Sequence, residues 1–219
     1  MRAAYRVDLQ APPESAGGPT LLFLHGAGEI GTDLGNVRLH GPWLRGHDGR
    51  PRNQLAASSL SKLRVIAPLL EERAFWDPAR LALTLERNLD AATTPVCLAG
   101  LSLGGRGILD LALEHPDRFA ALLCFCPAGG KTLAGAIEAL SDIPIWFVHR
   151  ENDYIVPAVH SAVLYEALRR HGRAWRTVLP ARVEDAHDCW TEIFAHPATY
   201  DWLRNPIVPP PEEAIRNGA

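Results

Sequence analysis

The sequence predicts an α/β fold, built as one domain around a mostly parallel, doubly wound sheet. Apolar runs of strand length recur along the chain, and they are continuous rather than alternating, as in strands covered on both faces. Segments with helical periodicity lie between these runs. Because strands that alternate with helices form parallel β/α units, helices are expected on both faces of one open sheet.

The strand-like runs can be placed in order along the chain. Strands covered on both faces are predicted at residues 20–25, 63–68, 95–100, 119–126 and 143–149. A further strand is predicted at residues 174–181, and residues 4–10 have the pattern of an edge strand.

Two of the intervening helices have clear boundary signals. Asp77 and Pro78 form a helix start, a capping residue before proline at the first helical position, and leucines then recur every four residues at Leu81, Leu85 and Leu89. Pro157 opens another helix, which Gly172 ends. The apolar face predicted for this second helix comprises Val159, Val163, Leu164, Ala167 and Leu168.

Length and composition bound the class of protein. The 219 residues suit one domain, predicted over residues 1–204, with a loosely attached tail at 205–219. Apolar residues make up 47% and charged residues 21%, which is ordinary for a globular protein. The formal net charge of -3 argues against a nucleic-acid-binding face, and no apolar run approaches the roughly 18 residues of a membrane span. Neither nucleic acid nor membrane is an expected partner.

The amino terminus and the cysteines indicate a cytoplasmic protein. The opening segment, MRAAYRVDLQAPP, has no uninterrupted apolar stretch, so it does not have the pattern of a secretory signal peptide. No CxxC pair is formed by Cys97, Cys124, Cys126 and Cys189, and free thiols in a reducing compartment are expected. The chain also lacks an H-E-x-x-H motif, so no metal is expected.

The clearest chemical signal is the motif Gly100-Leu101-Ser102-Leu103-Gly104. It follows a predicted strand and precedes a helical run, which is the context of a G-x-S-x-G nucleophile elbow. The strand must turn abruptly into the helix, and the two glycines leave space for that turn. The helix directs its amide dipoles at the site and favours negative charge there. The motif therefore predicts Ser102 as a nucleophile, the alternative being an ordinary glycine-rich turn.

A serine nucleophile needs a base, and the base needs an orienting acid. Behind an elbow of this kind the acid and then the base follow the serine along the chain. Asp153 lies in the loop after the predicted strand 143–149, where ligands gather in open α/β sheets. Glu151 is the competing acid. Because Pro157 begins the next helix and leaves Asp153 in the loop, Asp153 is the predicted acid.

His187 is the predicted base. It follows the predicted strand 174–181 in a polar loop late in the chain, as the order requires. His40 and His47 lie in a long irregular stretch and are the other histidines that could face a pocket.

Two backbone amides are expected to bind the negative charge that develops on the substrate. One belongs to Leu103, the residue after the nucleophile. The second is predicted at Ala27, in the glycine-rich turn after the strand 20–25. A glycine-rich turn after a strand can instead bind phosphate, but neither G-x-G-x-x-G nor G-x-x-x-x-G-K-S/T is present. A nucleotide cofactor is therefore not expected.

Four blocks of the chain together resemble the α/β-hydrolase serine esterases: LFLHGAGEIGTD, GLSLGG, HRENDYIVP and HDCWTEIFAHPATYDWL. The closest likeness is to the phospholipase/carboxylesterase branch and the related predicted peptidases. The resemblance extends from about residue 20 to residue 203. It implies an α/β-hydrolase fold, no cofactor, a Ser102–His187–Asp153 triad, and amide donors at Ala27 and Leu103.

The expected activity is hydrolysis of carboxylic esters through an acyl-enzyme. The spacing between the acid and the base leaves little room for an inserted lid, which favours short-acyl, small-molecule esters. Thioester or peptide hydrolysis by the same groups stays open, as does a non-catalytic binding module. The candidates for pocket walls are Trp43, Trp76 and Trp190, with packing in the core as the alternative.

Overall fold

The computed structural model describes residues 3–43, 54–89 and 95–211. These residues contain one seven-stranded sheet. Its strands are β1 Val7–Gln10, β2 Thr20–Leu24, β3 Arg64–Pro68, β4 Val96–Leu101, β5 Ala121–Phe125, β6 Ile145–Arg150 and β7 Ala174–Leu179. Their order across the sheet is β1-β3-β2-β4-β5-β6-β7. The edge strand β1 runs antiparallel to β3, and the other neighbouring pairs are parallel.

Helices connect the strands. The α-helices of the described residues are α1 Gln54–Leu60, α2 Pro78–Asn88, α3 Leu103–Glu114, α4 Gly130–Leu133, α5 Val159–Leu168, α6 Thr191–Phe194 and α7 Pro197–Arg204. Short 3₁₀ turns occur at Pro13–Ser15, Ala27–Glu29, Leu34–Arg38, Ile137–Leu140 and Arg169–His171. Within the described ranges, no helix combines the length and the apolar composition needed to cross a bilayer.

The predicted alternation of strands and helices is confirmed. Each predicted strand overlaps one of the observed strands, with β4 and β6 ending one residue later than predicted, and β1 lies at the edge as expected. Asp77 caps α2 as predicted, because its Oδ1 accepts hydrogen bonds from the amides of Ala79 and Arg80 at 3.0 and 3.2 Å.

The buried face of α5 differs from the prediction. Val159 is 51% exposed, whereas Ser161, Leu164 and Leu168 are buried. The reason is a polar contact inside the protein: the Ser161 hydroxyl lies 2.9 Å from Nδ1 of the fully buried His149. A helix that turns Ser161 inward must turn Val159 outward, since residues two apart lie on opposite faces.

The core consists of two apolar layers, one on each face of the sheet. Leu21 and Phe23 belong to one layer, and Leu22 and Leu24 of the same strand belong to the other. Successive side chains of a strand point to opposite faces, so a strand that is covered twice must be apolar throughout. This explains the continuous apolar runs of the sequence.

The part of the tail that the structure describes, residues 205–211, contacts the domain. The indole Nε1 of Trp202 donates to the carbonyl of Val208 at 3.1 Å, and Pro210 is buried. A cavity of about 1050 Å³ lies beside this segment, next to Pro19 and Lys62, which precede β2 and β3. The cavity is therefore at the amino ends of the strands, away from the edge described next.

Candidate active site

The carboxyl ends of β4 to β7 bring four chemically reactive side chains to one edge of the sheet. Ser102 follows β4 directly and Cys126 follows β5 directly. Asp153 lies in the loop after β6, and His187 lies in the loop after β7. Parallel strands end at the same edge, which is where open α/β sheets bind ligands.

Ser102 has a strained backbone. Its φ of 54° and ψ of -112° are unusual for a residue with a side chain. Its amide donates to the carbonyl of Phe125 at 2.9 Å, which fixes the serine to the end of the neighbouring strand β5. The predicted strand–turn–helix context is present, because β4 ends at Leu101 and α3 begins at Leu103.

Gly100 and Gly104 are required by close backbone contacts. A Cβ on Gly100 would lie 2.3 Å from the carbonyl oxygen of Gly104, and one on Gly104 would lie 2.1 Å from that of Leu24. Both distances are far shorter than van der Waals contact. Glycine at these two positions therefore lets α3 start directly against the ends of β4 and β2.

Asp153 and His187 form a hydrogen-bonded pair. The Nδ1 of His187 lies 2.7 Å from Oδ2 of Asp153, while Oδ1 accepts from the amides of Ile155 and Val156, both at 2.9 Å. Because a carboxylate only accepts, Nδ1 carries the proton and Nε2 is left to accept one. The competing acid, Glu151, is exposed.

A second histidine lies behind the acid. The Nε2 of His149 donates to the carbonyl of Val156 at 2.7 Å and is 3.4 Å from Oδ2 of Asp153. Burial lowers the pKa of His149, which keeps the ring neutral. Sequence reasoning placed His149 only in the strand before the acid, and its contact with Asp153 became visible only in the folded chain.

The loop that carries His187 is anchored by a buried arginine. The guanidinium of Arg150, 2% exposed, donates to the carbonyl of Asp188 at 2.9 and 3.0 Å and to that of Pro180 at 2.8 Å. It also donates to Glu192 at 2.7 Å. Sequence reasoning missed this residue; its one signal is an arginine at the end of an otherwise apolar strand.

Cys126 is the third side chain at the acid–base pair. Its Sγ, a carboxylate oxygen of Asp153 and a ring nitrogen of His187 all lie within 4.8 Å of one another. Ser102 and Cys126 end neighbouring strands, and such strands are about 4.8 Å apart. The imidazole of His187, which follows β7, therefore lies near the end of β5, the strand next to the one that Ser102 follows.

The contacts of His187 change its basicity. Burial alone lowers the pKa of His187, but the contacts with Cys126 and Asp153 outweigh burial and raise it to about 9. The pKa of the Cys126 thiol responds in the opposite sense. Burial raises it, whereas hydrogen bonds with Cys189 and His187 lower it to about 7.

The predicted amide donors lie at two neighbouring junctions. Leu103 is the first residue of α3, and Ala27 is the first residue of the 3₁₀ turn Ala27–Glu29, so neither amide has a partner inside its own helix. The two junctions meet at Gly26, where a Cβ would lie 2.7 Å from Cδ1 of Leu101. Both predicted donors therefore lie at strand ends on the same edge of the sheet as Ser102.

The turn that carries Ala27 is held by two histidines. His25 is buried; its Nδ1 donates to the carbonyl of Gly26 at 2.7 Å, and its Nε2 accepts from the amide of Leu70 at 3.0 Å. His40 binds the buried Glu29 at the end of the turn, and this hydrogen bond raises the pKa of His40. The other histidine of the long loop, His47, lies outside the described residues.

The three candidate tryptophans occupy different environments. The ring of Trp190 lies 5.6 Å from that of His187 and 5.8 Å from that of His40. Trp43 is 7% exposed and packs on Phe23, and Trp76 is 3% exposed and packs on Tyr5 and His25. Of the three, Trp190 is the one placed in contact with a candidate catalytic side chain.

Comparisons with known proteins find similarity to esterases and other hydrolases. The model of the "Putative esterase" family matches residues 78–179. A thermostable esterase of known structure is 25% identical with a TM-score of 0.72, and the match covers 90% of this chain and 58% of that protein. The chain thus spans less than two thirds of that esterase. No curated protein matches the chain.

Two further structures resemble the whole domain. A CIB-like hydrolase from Thermoplasma acidophilum is 17% identical with a TM-score of 0.62, covering 91% of this chain and 93% of that protein. A phospholipase/carboxylesterase from Dyadobacter fermentans is 16% identical with a TM-score of 0.55, covering 90% and 99%. The resemblance to α/β-hydrolase esterases is confirmed, and the chain has a single-domain α/β-hydrolase fold.

Proposed function

We propose that this chain is a serine hydrolase that cleaves carboxylic esters through an acyl-enzyme. The observation that carries the proposal is the hydrogen-bonded pair of His187 and Asp153, which lies at the same edge of the sheet as Ser102, a serine with a strained backbone. Each group has the role that such a pair supports: Ser102 as nucleophile, His187 as general base and Asp153 as the acid that orients it.

The proposed reaction begins with proton transfer from Ser102 to Nε2 of His187 as the serine oxygen attacks the ester carbonyl. Asp153 holds the proton on Nδ1 and stabilises the imidazolium that forms. His187 then gives its proton to the leaving alcohol, and the acyl group stays on Ser102. Water, activated by the same imidazole, releases the acid and restores the serine.

The amides of Ala27 and Leu103 are the proposed donors to the oxyanion. They support the proposal because both start helical turns at adjacent junctions, where their N–H groups lack helical partners. Each such donor is worth about 3 kcal/mol of transition-state stabilisation. The proposed mechanism uses no metal and no cofactor.

The substrate we propose is a short-acyl, small-molecule ester. Between Asp153 and His187 the chain forms α5, one 3₁₀ turn and β7, so no lid domain is inserted between the acid and the base. The side chains of Tyr154 and Ile155, directly after the acid, are exposed. An open rim suits a short acyl group, with Trp190 as the proposed wall beside His187.

A series of substrates tests the proposal. p-Nitrophenyl esters of increasing chain length, an acyl-CoA thioester and a peptide amide are compared for the wild-type protein and for Ser102→Ala. We expect the highest kcat/KM for short esters and a loss in kcat of about 10⁶-fold in Ser102→Ala. A matched control, Ser61→Ala, removes an exposed hydroxyl bonded to the Ser58 carbonyl and leaves the rate unchanged.

The same series separates the alternatives. A preference for acyl-CoA makes the protein a thioesterase, and a preference for the amide makes it a peptidase, each with the same triad. No hydrolysis of any substrate by the folded wild-type protein supports a binding module. Near wild-type rates in Ser102→Ala contradict the assignment of the nucleophile.

A further inference from the structure

Cys126 lies at the site, yet the proposed reaction does not use it. Its side chain is fully buried, and its φ of 37° is unusual for any residue other than glycine. Its Sγ lies 3.8 Å from the carbonyl oxygen of His187. Backbone strain of this kind collects at functional sites, so the role of the thiol needs an explanation of its own.

The three side chains around this thiol form a set of metal donors. A thiol sulfur from Cys126, a carboxylate oxygen from Asp153 and a ring nitrogen from His187 lie within 4.8 Å of one another. This is the one such group of three among the residues that the structure describes. Sulfur, nitrogen and oxygen are the donors that Zn²⁺ takes in proteins.

We propose that Cys126, Asp153 and His187 bind a thiophilic divalent cation such as Zn²⁺, which inhibits the enzyme. Zinc bonds of about 2.0 to 2.3 Å in a tetrahedron bring the donor atoms to between about 3 and 4 Å of each other. The three donor atoms already lie within 4.8 Å of one another, so small side-chain movements bring them to these separations. The His187 side chain is 16% exposed, so solvent reaches the site and water can supply the fourth ligand.

When the cation binds, the protein releases one proton. The Cys126 thiol gives its proton to solvent and binds as a thiolate. His187 binds through the lone pair of one ring nitrogen as a neutral imidazole and keeps its single N–H on the other, and its hydrogen bond to Oδ2 of Asp153 is lost when that oxygen binds the cation. Asp153 binds through one carboxylate oxygen, while the amides of Ile155 and Val156 continue to hold Oδ1.

The donor set favours a soft cation over Mg²⁺ or Ca²⁺, since thiolate and imidazole select zinc-like metals and hard cations require oxygen donors. Asp185 and Asp188 flank His187 in its own loop and attract cations of either kind. A cation at this position occupies His187 and so removes the general base.

The inhibitory effect rests on the proposed function, but the binding does not, so the two are measured separately. Untagged full-length protein is dialysed against ZnCl₂ to count bound zinc. It is also titrated with Cd²⁺, whose bond to a thiolate gives an ultraviolet charge-transfer band. The variants are Cys126→Ala, His187→Ala and Ser102→Ala, with Cys97→Ala as the matched control, because Cys97 is a buried thiol bonded to the Leu203 carbonyl.

We expect one equivalent of zinc and the Cd²⁺ band in the wild-type protein, in Cys97→Ala and in the inactive Ser102→Ala. Cys126→Ala loses the band, and both Cys126→Ala and His187→Ala bind zinc at least about 10-fold more weakly. Zinc also inhibits wild-type ester hydrolysis, and a chelator restores it. Because Ser102→Ala retains the band whatever the reaction is, failure of the proposed function leaves this result intact.

Two outcomes overturn the inference. One is a Cd²⁺ band that survives in Cys126→Ala. The other is zinc affinity that is the same in wild type, Cys126→Ala and His187→Ala, which places the bound ion elsewhere. If Cys126→Ala does not fold, the partly buried His187→Ala variant still tests whether zinc binds at this site.

Discussion

The two sides of the candidate site are held in place by different means. On the acid–base side, after β6 and β7, side chains hold one another: Asp153 accepts from His187 and from two amides, and Arg150 anchors the loop. On the nucleophile side, after β2 and β4, backbone geometry holds the site in position. There Ser102 has a φ of 54°, and Gly100 and Gly104 remove Cβ atoms that would clash.

Because the two sides are held differently, substitutions on them are expected to affect different quantities, kcat on one side and the free energy of unfolding on the other. On the acid–base side, a shortened side chain removes a chemical group and leaves the backbone its own hydrogen bonds. On the nucleophile side, an added methyl group pushes against backbone that cannot move without disturbing two strands. We therefore expect substitutions on the first side to change kcat, and substitutions on the second side to change the free energy of unfolding.

The largest expected effect is that of His187→Ala. Loss of the base lowers kcat on p-nitrophenyl acetate by about 10⁶-fold. The urea midpoint of unfolding changes little when it is measured above about pH 9, where the raised pKa of His187 no longer stabilises the fold. The control is His171→Ala, which removes an exposed histidine at the end of α5 and keeps the wild-type rate. A fall of less than about 100-fold in His187→Ala contradicts its role as base.

Asp153→Asn comes second. The amide keeps an oxygen for the Ile155 and Val156 amides but no longer holds the correct tautomer of His187. We expect kcat to fall by about 10⁴-fold with KM little changed. Glu151→Gln is the matched control, because this exposed carboxylate is the competing acid. A larger loss in Glu151→Gln than in Asp153→Asn reverses the assignment.

Gly104→Ala tests the nucleophile side. Its Cβ would lie 2.1 Å from the Leu24 carbonyl oxygen and 2.6 Å from that of His25. We expect a loss of about 3 kcal/mol in the free energy of unfolding, measured in urea, together with lost activity. Gly135→Ala is the control, since a Cβ there meets nothing within 4 Å. Equal stability of the two variants refutes the backbone account of this side.

The smallest expected effect is in the pH profile. His187, with its pKa raised to about 9, must be neutral to act as base, so kcat/KM rises about tenfold per pH unit below that value. The rising limb moves to lower pH in Cys126→Ala and Asp153→Asn.

The free energy of unfolding depends on pH in the opposite direction to kcat/KM. The raised pKa of His187 stabilises the fold in full below the ordinary value of 6.5, and this contribution is lost as pH rises through about 9.

The sequence predicts the features of the site that depend on local pattern. The elbow depends on short-range pattern, because a strand, G-x-S-x-G and a helix occupy consecutive residues. The strands were predictable for a similar reason, since burial on both faces imposes continuous apolar runs. Asp153 and His187 could be proposed from their places after strands, because parallel strands end at one edge.

Long-range contacts could not be predicted. Arg150 meets Asp188 and Glu192 across about forty residues of chain, and Cys126 meets a histidine from another loop. The burial of Trp43 also depends on packing, since a tryptophan in a long loop is equally compatible with a pocket wall. Composition and periodicity carry no information on which side chains meet after folding.

The central claim is that Ser102 is activated by the pair of His187 and Asp153. Labelling with a fluorophosphonate tests it most directly, because only an activated serine reacts. We predict one adduct per wild-type chain by intact mass, located at Ser102 by peptide mapping, and almost none in His187→Ala. A folded wild-type protein that stays unlabelled, or an adduct on a different residue, contradicts the claim.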